Sequence, residues 1–269
     1  MIDGTAQHMA QDTARPTGCR IHFAGLLAPG LPAEQRNELA QALRLSPTAA
    51  PPCPEDRPAP LVALLTGSEA GTGPDLDALW LPPVAAWIEP PAGTALSEPV
   101  IQLAEMLAEA AGNDLYLNLT TATAHDLQLG GRLLAALNAR HPLTGDHRDD
   151  VELALHEAVS NALVHGNLGV AGMKELSARE LERFSRDLGA RLADPALAAR
   201  RIAIAIRIDP AEDNRPLATV EISDEGAGFT PGPRTSTGAS GRGLDLIAGI
   251  SAGLEIEDGG RRIRMRFRL

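Results

Sequence analysis

Three short segments of the chain carry residue types suited to chemistry. The first is Glu157-Ala-Val-Ser-Asn161-Ala-Leu-Val-His165-Gly166-Asn167. On a helix, Glu157, Asn161 and His165 form one polar stripe, while Leu155, Val159, Ala162 and Leu163 form the opposing apolar side. A solvated stripe normally carries Lys and Glu; a carboxylate, an amide and an imidazole suit metal and phosphate chemistry instead. The second segment is Val220-Glu-Ile-Ser-Asp224-Glu-Gly226-Ala-Gly228-Phe229. An Asp at a strand end can accept a hydrogen bond from an amino group, and the Gly-x-Gly turn lets backbone approach a ligand closely. The third is Thr237-Gly238-Ala-Ser-Gly241-Arg242-Gly243-Leu244-Asp-Leu-Ile247, a Gly-rich loop feeding a helix. Free N–H groups at a helix start attract anions, and Arg242 adds a permanent charge suited to phosphate. The Lys-Ser/Thr ending of a P-loop is absent. Taken alone, each segment also fits a bland reading: a polar helix, a β-turn, a loop before a helix.

These segments need elements to position them. Asp149–His165 reads as a helix, with Asp149 and Glu152 as a capping box and Gly166 as its stop. Ala218–Ser223 alternates as a strand that delivers Asp224, and Gly243–Ile250 reads as the short helix after the third segment. Asp114–Thr120 is a half-buried strand, Ala124–Asn138 a helix, Arg201–Ile208 a strand, and Glu175–Arg191 a polar, exposed helical insertion. In the last strand, Arg262–Leu269, the residues Ile263, Met265, Phe267 and Leu269 face a core and the four arginines between them face solvent. That basic face offers no aromatics for base stacking. Upstream, Arg20–Leu27, Leu61–Thr66 and Val84–Ile88 read as strands, Ala33–Leu45 and Pro99–Ala111 as helices, and Ser46–Pro60 as a loop. Strands alternating with helices predict a small parallel sheet, and residues 1–17 read as disordered.

Taken together, Glu-x-x-x-Asn, Asp-x-Gly-x-Gly and Gly-x-Gly-Leu resemble the N, G1 and G2 boxes of the GHKL ATPases. That superfamily includes gyrase-type topoisomerases, histidine kinases and anti-sigma-factor serine kinases. The unbroken phrase Glu-Ala-Val-Ser-Asn-Ala-Leu-Val-His-Gly-Asn is similar to the anti-sigma kinase branch, as is the short lid between Phe229 and Gly241. The resemblance covers residues 113–269 and implies a histidine-kinase-like ATPase domain of α/β class. Its fold would be a two-layer sandwich, a mixed sheet with helices on one face. ATP and Mg²⁺ are the implied cofactors. Asn161 would coordinate the magnesium, and Glu157 would be the general base or position the accepting hydroxyl. Asp224 would bind the adenine amino group, with Gly226 and Gly228 shaping that wall. Gly241, Arg242 and Gly243, followed by Leu244, would close over the phosphates. His165 has a nucleotide-side reading and a packing reading. The implied partners are a sigma factor, an antagonist protein of the anti-anti-sigma type, and a second copy of the chain. Residues 169–199 are more than the compact members need.

Before that unit, residues 18–112 read as an N-terminal α/β regulatory domain. Its element order resembles a receiver domain, yet the acidic cluster after the first strand and the phosphoacceptor Asp are missing. It is a degenerate receiver or an unrelated regulatory domain.

Composition narrows the function classes. The net charge of −11 argues against broad nucleic-acid or anionic-membrane binding. Cys19 and Cys53 stand apart without metal-site spacing, and no run approaches the length of a membrane span. A soluble cytoplasmic protein is the default expectation. Against a sensor histidine kinase, His125 lies too close to Glu157 for a two-helix phosphoacceptor hairpin, and it reads as a helix-start residue. The leading function is a serine/threonine kinase that acts on an antagonist protein; the alternatives are an ATP-gated binding module with little catalysis and, behind it, a histidine-kinase-related signalling ATPase.

Overall fold

The computed structural model describes residues 22–48, 59–65, 77–91, 97–173, 175–209, 216–229 and 242–269 of the 269-residue chain. Its centre is a single mixed sheet of nine strands in the order β2-β1-β3-β4-β5-β6-β7-β9-β8. The strands are β1 Gly25–Leu27, β2 Ser46–Thr48, β3 Leu61–Leu64, β4 Val84–Ile88 and β5 Leu115–Thr120, then β6 Arg201–Asp209, β7 Leu217–Asp224, β8 Gly253–Glu257 and β9 Arg262–Arg268. From β2 to β5 neighbouring strands pair parallel, and from β5 to β8 they pair antiparallel. The helices are α1 Ala33–Ala42, α2 Ser97–Ala110, α3 Thr121–Asp126, α4 Leu129–Asn138, α5 Gly145–Ser160, α6 Ala178–Leu192, α7 Pro195–Ala198 and α8 Arg242–Ile250.

The two halves of the sheet are covered differently, for reasons visible in the strands. β3 and β4 are continuous apolar runs, as parallel strands covered on both faces must be. Their alternate residues feed two cores. Ala63 and Trp87 join the core shared with α4 and α5, and Val62, Leu64, Ala86 and Ile88 join a second core beside α1 and α2. The antiparallel strands alternate strictly. Ile202, Ile204, Ile206, Ala218, Val220, Ile222, Met265 and Phe267 are buried beneath α5 and α8. Their other face carries an ion-pair ladder in which Arg264 reaches Glu221 at 2.9 Å, Glu255 at 3.0 Å and Glu257 at 2.8 Å. The basic strand is thus neutralised by acidic neighbours. The fold is the expected mixed α/β class, with helices on one face of its antiparallel half.

The expected boundary at 112/113 falls between α2 and β5, and the sheet crosses it: Ala86, Trp87 and Ile88 of β4 pair with Tyr116, Leu117 and Asn118 of β5. β5 alternates as predicted but is buried on both faces rather than one. Tyr116, on the second face, donates to Glu109 of α2 at 2.7 Å, and burial pushes its hydroxyl pKa up. The Ser46–Pro60 loop begins with edge strand β2, and β8 had no sequence signal. The helix predicted over Ala124–Asn138 is two, broken where Gln128 takes a left-handed φ of 51°. His125 accordingly lies in the last turn of α3, not at a helix start. Residues 1–17 and the lid segment 230–241 lie outside the described residues.

Candidate functional site

The helix that carries the first segment begins a turn earlier than the capping box suggests. α5 starts at Gly145 after Thr144, with no side-chain cap, and Asp149 lies inside it. Arg148 instead pairs with Glu152 at 3.0 Å along the exposed face. Nor does Gly166 stop the helix. Asn161–Asn167 continues as a π-helical turn, closed by Leu168 N donating to Leu163 O at 3.0 Å. Such wide turns recur at functional sites because they redirect side chains without ending the helix. The apolar side is as predicted: Leu155, Val159, Ala162 and Leu163 are all buried.

The polar stripe faces a cavity of about 510 Å³ bounded by α5, the π turn, the end of β7, the start of α8 and the 258–261 turn. Asn161 Nδ2 donates to Glu157 Oε1 at 3.2 Å, which fixes the amide against the carboxylate. His165 also lines the cavity, but its Nδ1 is bonded to the Val170 carbonyl at 2.6 Å. A carbonyl only accepts, so Nδ1 carries the proton and the ring pins the chain after the π turn. Gly243 and Leu244, in the first turn of α8, close this end. Gly243 packs directly on Glu157, since a Cβ there would fall 1.6 Å from Oε1. Gly241 and the side chain of Arg242 lie outside the described residues.

Asp224, the last residue of β7, sits at the other end. Gly226 N–H donates to its Oδ1 at 2.8 Å. Gly166 and Gly226 make room for it: a Cβ on Gly166 would meet the Asp224 carboxylate at 2.5 Å, and one on Gly226 would meet the Gly166 carbonyl at 2.3 Å. Gly228 has φ +72°, and its backbone lies against Gly259, whose carbonyl accepts from Phe229 N at 2.9 Å. Burial raises the Asp224 pKa, opposed by the Gly226 N–H and by the charges of Arg261 and Arg200. A carboxylate raised by burial costs the folded state stability above that pKa, and the cost fades as the pH falls through it. Asp224→Asn is therefore expected to leave the ligand-free protein at least as stable as the parent at neutral pH. Urea unfolding at pH 7.5 and at acidic pH checks this: the gap between the two proteins should shrink on acidification.

Asn167 is the residue whose part sequence reasoning missed. Its side chain is 0% exposed and holds three segments together. Nδ2 donates to Thr121 Oγ1 at 2.8 Å and to the Arg201 carbonyl at 3.0 Å, while Oδ1 accepts from Glu225 N at 2.7 Å. Glu225 in turn accepts from Arg201 N at 2.8 Å, and the Arg201 guanidinium reaches the Glu89 and Asn118 carbonyls at 2.6 and 2.8 Å. The turn after Asp224 is thereby tied to β4, β5 and β6. A polar residue directly after the His-Gly pair was the only available signal. Arg261 and the insertion residues Gly172, Met173, Leu176 and Phe184 line the cavity as well, and no motif pointed to them.

The arrangement is a pocket with a carboxylate–amide pair at one end, a half-buried carboxylate at the other, and glycines where backbone must come close. The family model of the histidine kinase-like ATPase domain matches residues 120–267, more than half of the chain. The chain belongs to that family, and its C-terminal part is an ATP-binding domain. No curated protein matches the chain. Among the described residues, no helix is long and apolar enough to cross a membrane.

Proposed function

We propose that the protein is a regulatory serine/threonine kinase of the anti-sigma-factor type, which transfers the γ-phosphoryl group of ATP to a hydroxyl on an antagonist protein. The observation that carries this reading is the Glu157–Asn161 pair, held at 3.2 Å on the wall of the cavity whose far end is Asp224. The cavity fits a nucleotide: about 510 Å³ lies within the roughly 300–1,000 Å³ that small-molecule sites occupy. Asp224 would accept from the adenine amino group, and Gly166, Gly226 and Gly228 would admit the flat ring beside it. Magnesium suits the other end. Asn161 commits its amide N–H to Glu157, which leaves Oδ1 to face a hard cation. Among the described residues no three His, Cys, Asp or Glu side chains converge as a metal cage. Such a cation would take its remaining ligands from phosphate oxygens and water, as magnesium readily does.

Phosphoryl transfer needs positioning and charge stabilisation more than covalent chemistry. Glu157 would take the proton of the attacking hydroxyl as the new O–P bond forms and the bond to the β-phosphate oxygen breaks. Gly243 packs on this carboxylate, so the start of α8, with the N–H groups there, would lie beside the reacting phosphate. The net charge of −11 favours a protein partner over nucleic acid, and a sigma factor and its antagonist are the partners proposed.

Incubating the wild type and Glu157→Ala with γ-labelled ATP and Mg²⁺ in lysate of the source organism tests the proposal. Label on a serine or threonine of a second protein, reduced by roughly a hundredfold or more in Glu157→Ala, is the expected result. Equal labelling by both would remove Glu157 from its role. Tight ATP binding with no labelled protein would favour the ATP-gated module instead.

A further inference from the structure

We propose that the insertion over residues 169–199 supplies an apolar wall of the nucleotide site, with Met173, Leu176 and Phe184 packing on the purine base. This rests on the nucleotide reading of the cavity and assigns to the insertion a role that the three sequence boxes do not contain. α6 is one-sided: Leu181, Phe184, Leu188 and Leu192 follow a helical stripe, yet no residue of the helix is buried. Beyond its contacts with α7, it leans on little of the protein body. The apolar stripe is therefore not there to complete the core. Phe184 instead lines the cavity together with Gly172, Met173 and Leu176.

The approach of this segment to the pocket is built in. His165 holds the Val170 carbonyl at 2.6 Å, and Val170 N donates to Val164 O at 2.9 Å. Ser177 caps α6, and Arg183, braced by Glu180 and Asp187 at 3.0 and 3.1 Å, donates to the Gly172 carbonyl at 3.2 Å. Arg200 closes the return by donating to the Asn167 carbonyl at 2.7 Å. Both ends of the insertion are thus fastened to the same turn that flanks Asp224.

Chemistry then selects the occupant. The charged and amide groups of the cavity, Glu157, Asn161, Asp224 and Arg261, all come from the body of the domain, and the insertion contributes apolar surface. Leu176 is 88% exposed and Phe229 40% exposed at the same cavity, large apolar groups left facing water around one opening. A purine is polar at its edge and apolar on its faces. Its edge suits Asp224, and its face suits an aromatic and a thioether, which stack on any base.

Calorimetric titration of ATP with Mg²⁺ into the full chain tests this, using the wild type, Phe184→Ala, Met173→Ala and Asp224→Asn. Phe184→Ala should weaken ATP binding about tenfold, and Met173→Ala should weaken it in the same direction by less. Phe184 lies outside the core, so both variants should keep the parent's melting temperature. As a second readout, Phe184→Trp should give an indole emission change on ATP addition that the wild type lacks, because Trp80 and Trp87 are buried in the core. Unchanged affinity in Phe184→Ala and Met173→Ala, with binding lost in Asp224→Asn, would overturn the insertion's role and leave the nucleotide site standing. Failure of the wild type to bind ATP would overturn both.

Discussion

Asn167→Ala should lower folding stability by roughly 2–3 kcal/mol, because it removes a fully buried amide and strips partners from partly buried backbone groups at one point. Removing the amide leaves Glu225 N–H and the Arg201 carbonyl without the bonds they make at 2.7 and 3.0 Å. Both bonds are partly buried, so each lost partner costs about 1 kcal/mol or slightly more. Thr121 Oγ1 is less exposed to the loss, since it also donates to the Arg200 carbonyl at 2.8 Å. The damage is not confined to stability. Glu225 directly follows Asp224, so the turn that sets the carboxylate loosens with it. Urea unfolding of the wild type and Asn167→Ala gives the number, and a loss below about 1 kcal/mol would mean that the amide is not the tie described here.

Gly226→Ala is expected to abolish measurable ATP binding while the protein still folds. A Cβ at this position would lie 2.3 Å from the Gly166 carbonyl oxygen, 2.4 Å from its carbon and 2.7 Å from Asp224 Oδ1. Two of those three atoms are backbone, so no side-chain rotation relieves the clash. The turn after β7 and the π turn of the N-box helix must separate, at an overpacking cost of about 1–3 kcal/mol. The same separation moves Asp224, which receives Gly226 N–H at 2.8 Å, out of place for an adenine amino group. Fluorescence titration with a labelled nucleotide reads the effect, and a Gly226→Ala protein that binds within threefold of the parent would show that the close approach is not needed.

The chemistry-bearing residues were more legible than the frame that holds them. Helical spacing put Glu157 and Asn161 side by side, and strand alternation put Asp224 at the end of β7, because both periodicities are local properties of the chain. His165 broke the pattern for a reason no periodicity reveals: the i→i+5 bonding of the π turn gives it the Val170 carbonyl as partner. Asp149 and Glu152 mimicked a capping box inside a helix, a signal that local sequence alone does not separate from a true start. The β4–β5 ladder across residues 112 and 113 was equally illegible, since pairing between distant segments leaves no trace in either one. The polar sequence of α6 suggested an exposed helix, and no residue of it is buried. That its apolar stripe borders the cavity emerges only once the π turn, Arg183 and Arg200 fix where the segment lies.

The central claim is that the cavity between Glu157 and Asp224 is the site where ATP binds. Titration of ATP with Mg²⁺ into the wild type and Asp224→Asn at neutral pH, with unfolding curves for both, tests it most directly. The predicted result is saturable binding to the wild type, at least a tenfold loss in Asp224→Asn, and no loss of stability in the variant. Equal ATP affinity in the two proteins would contradict the claim, because the half-buried carboxylate at the β7 end of the cavity would then have no part in holding the nucleotide.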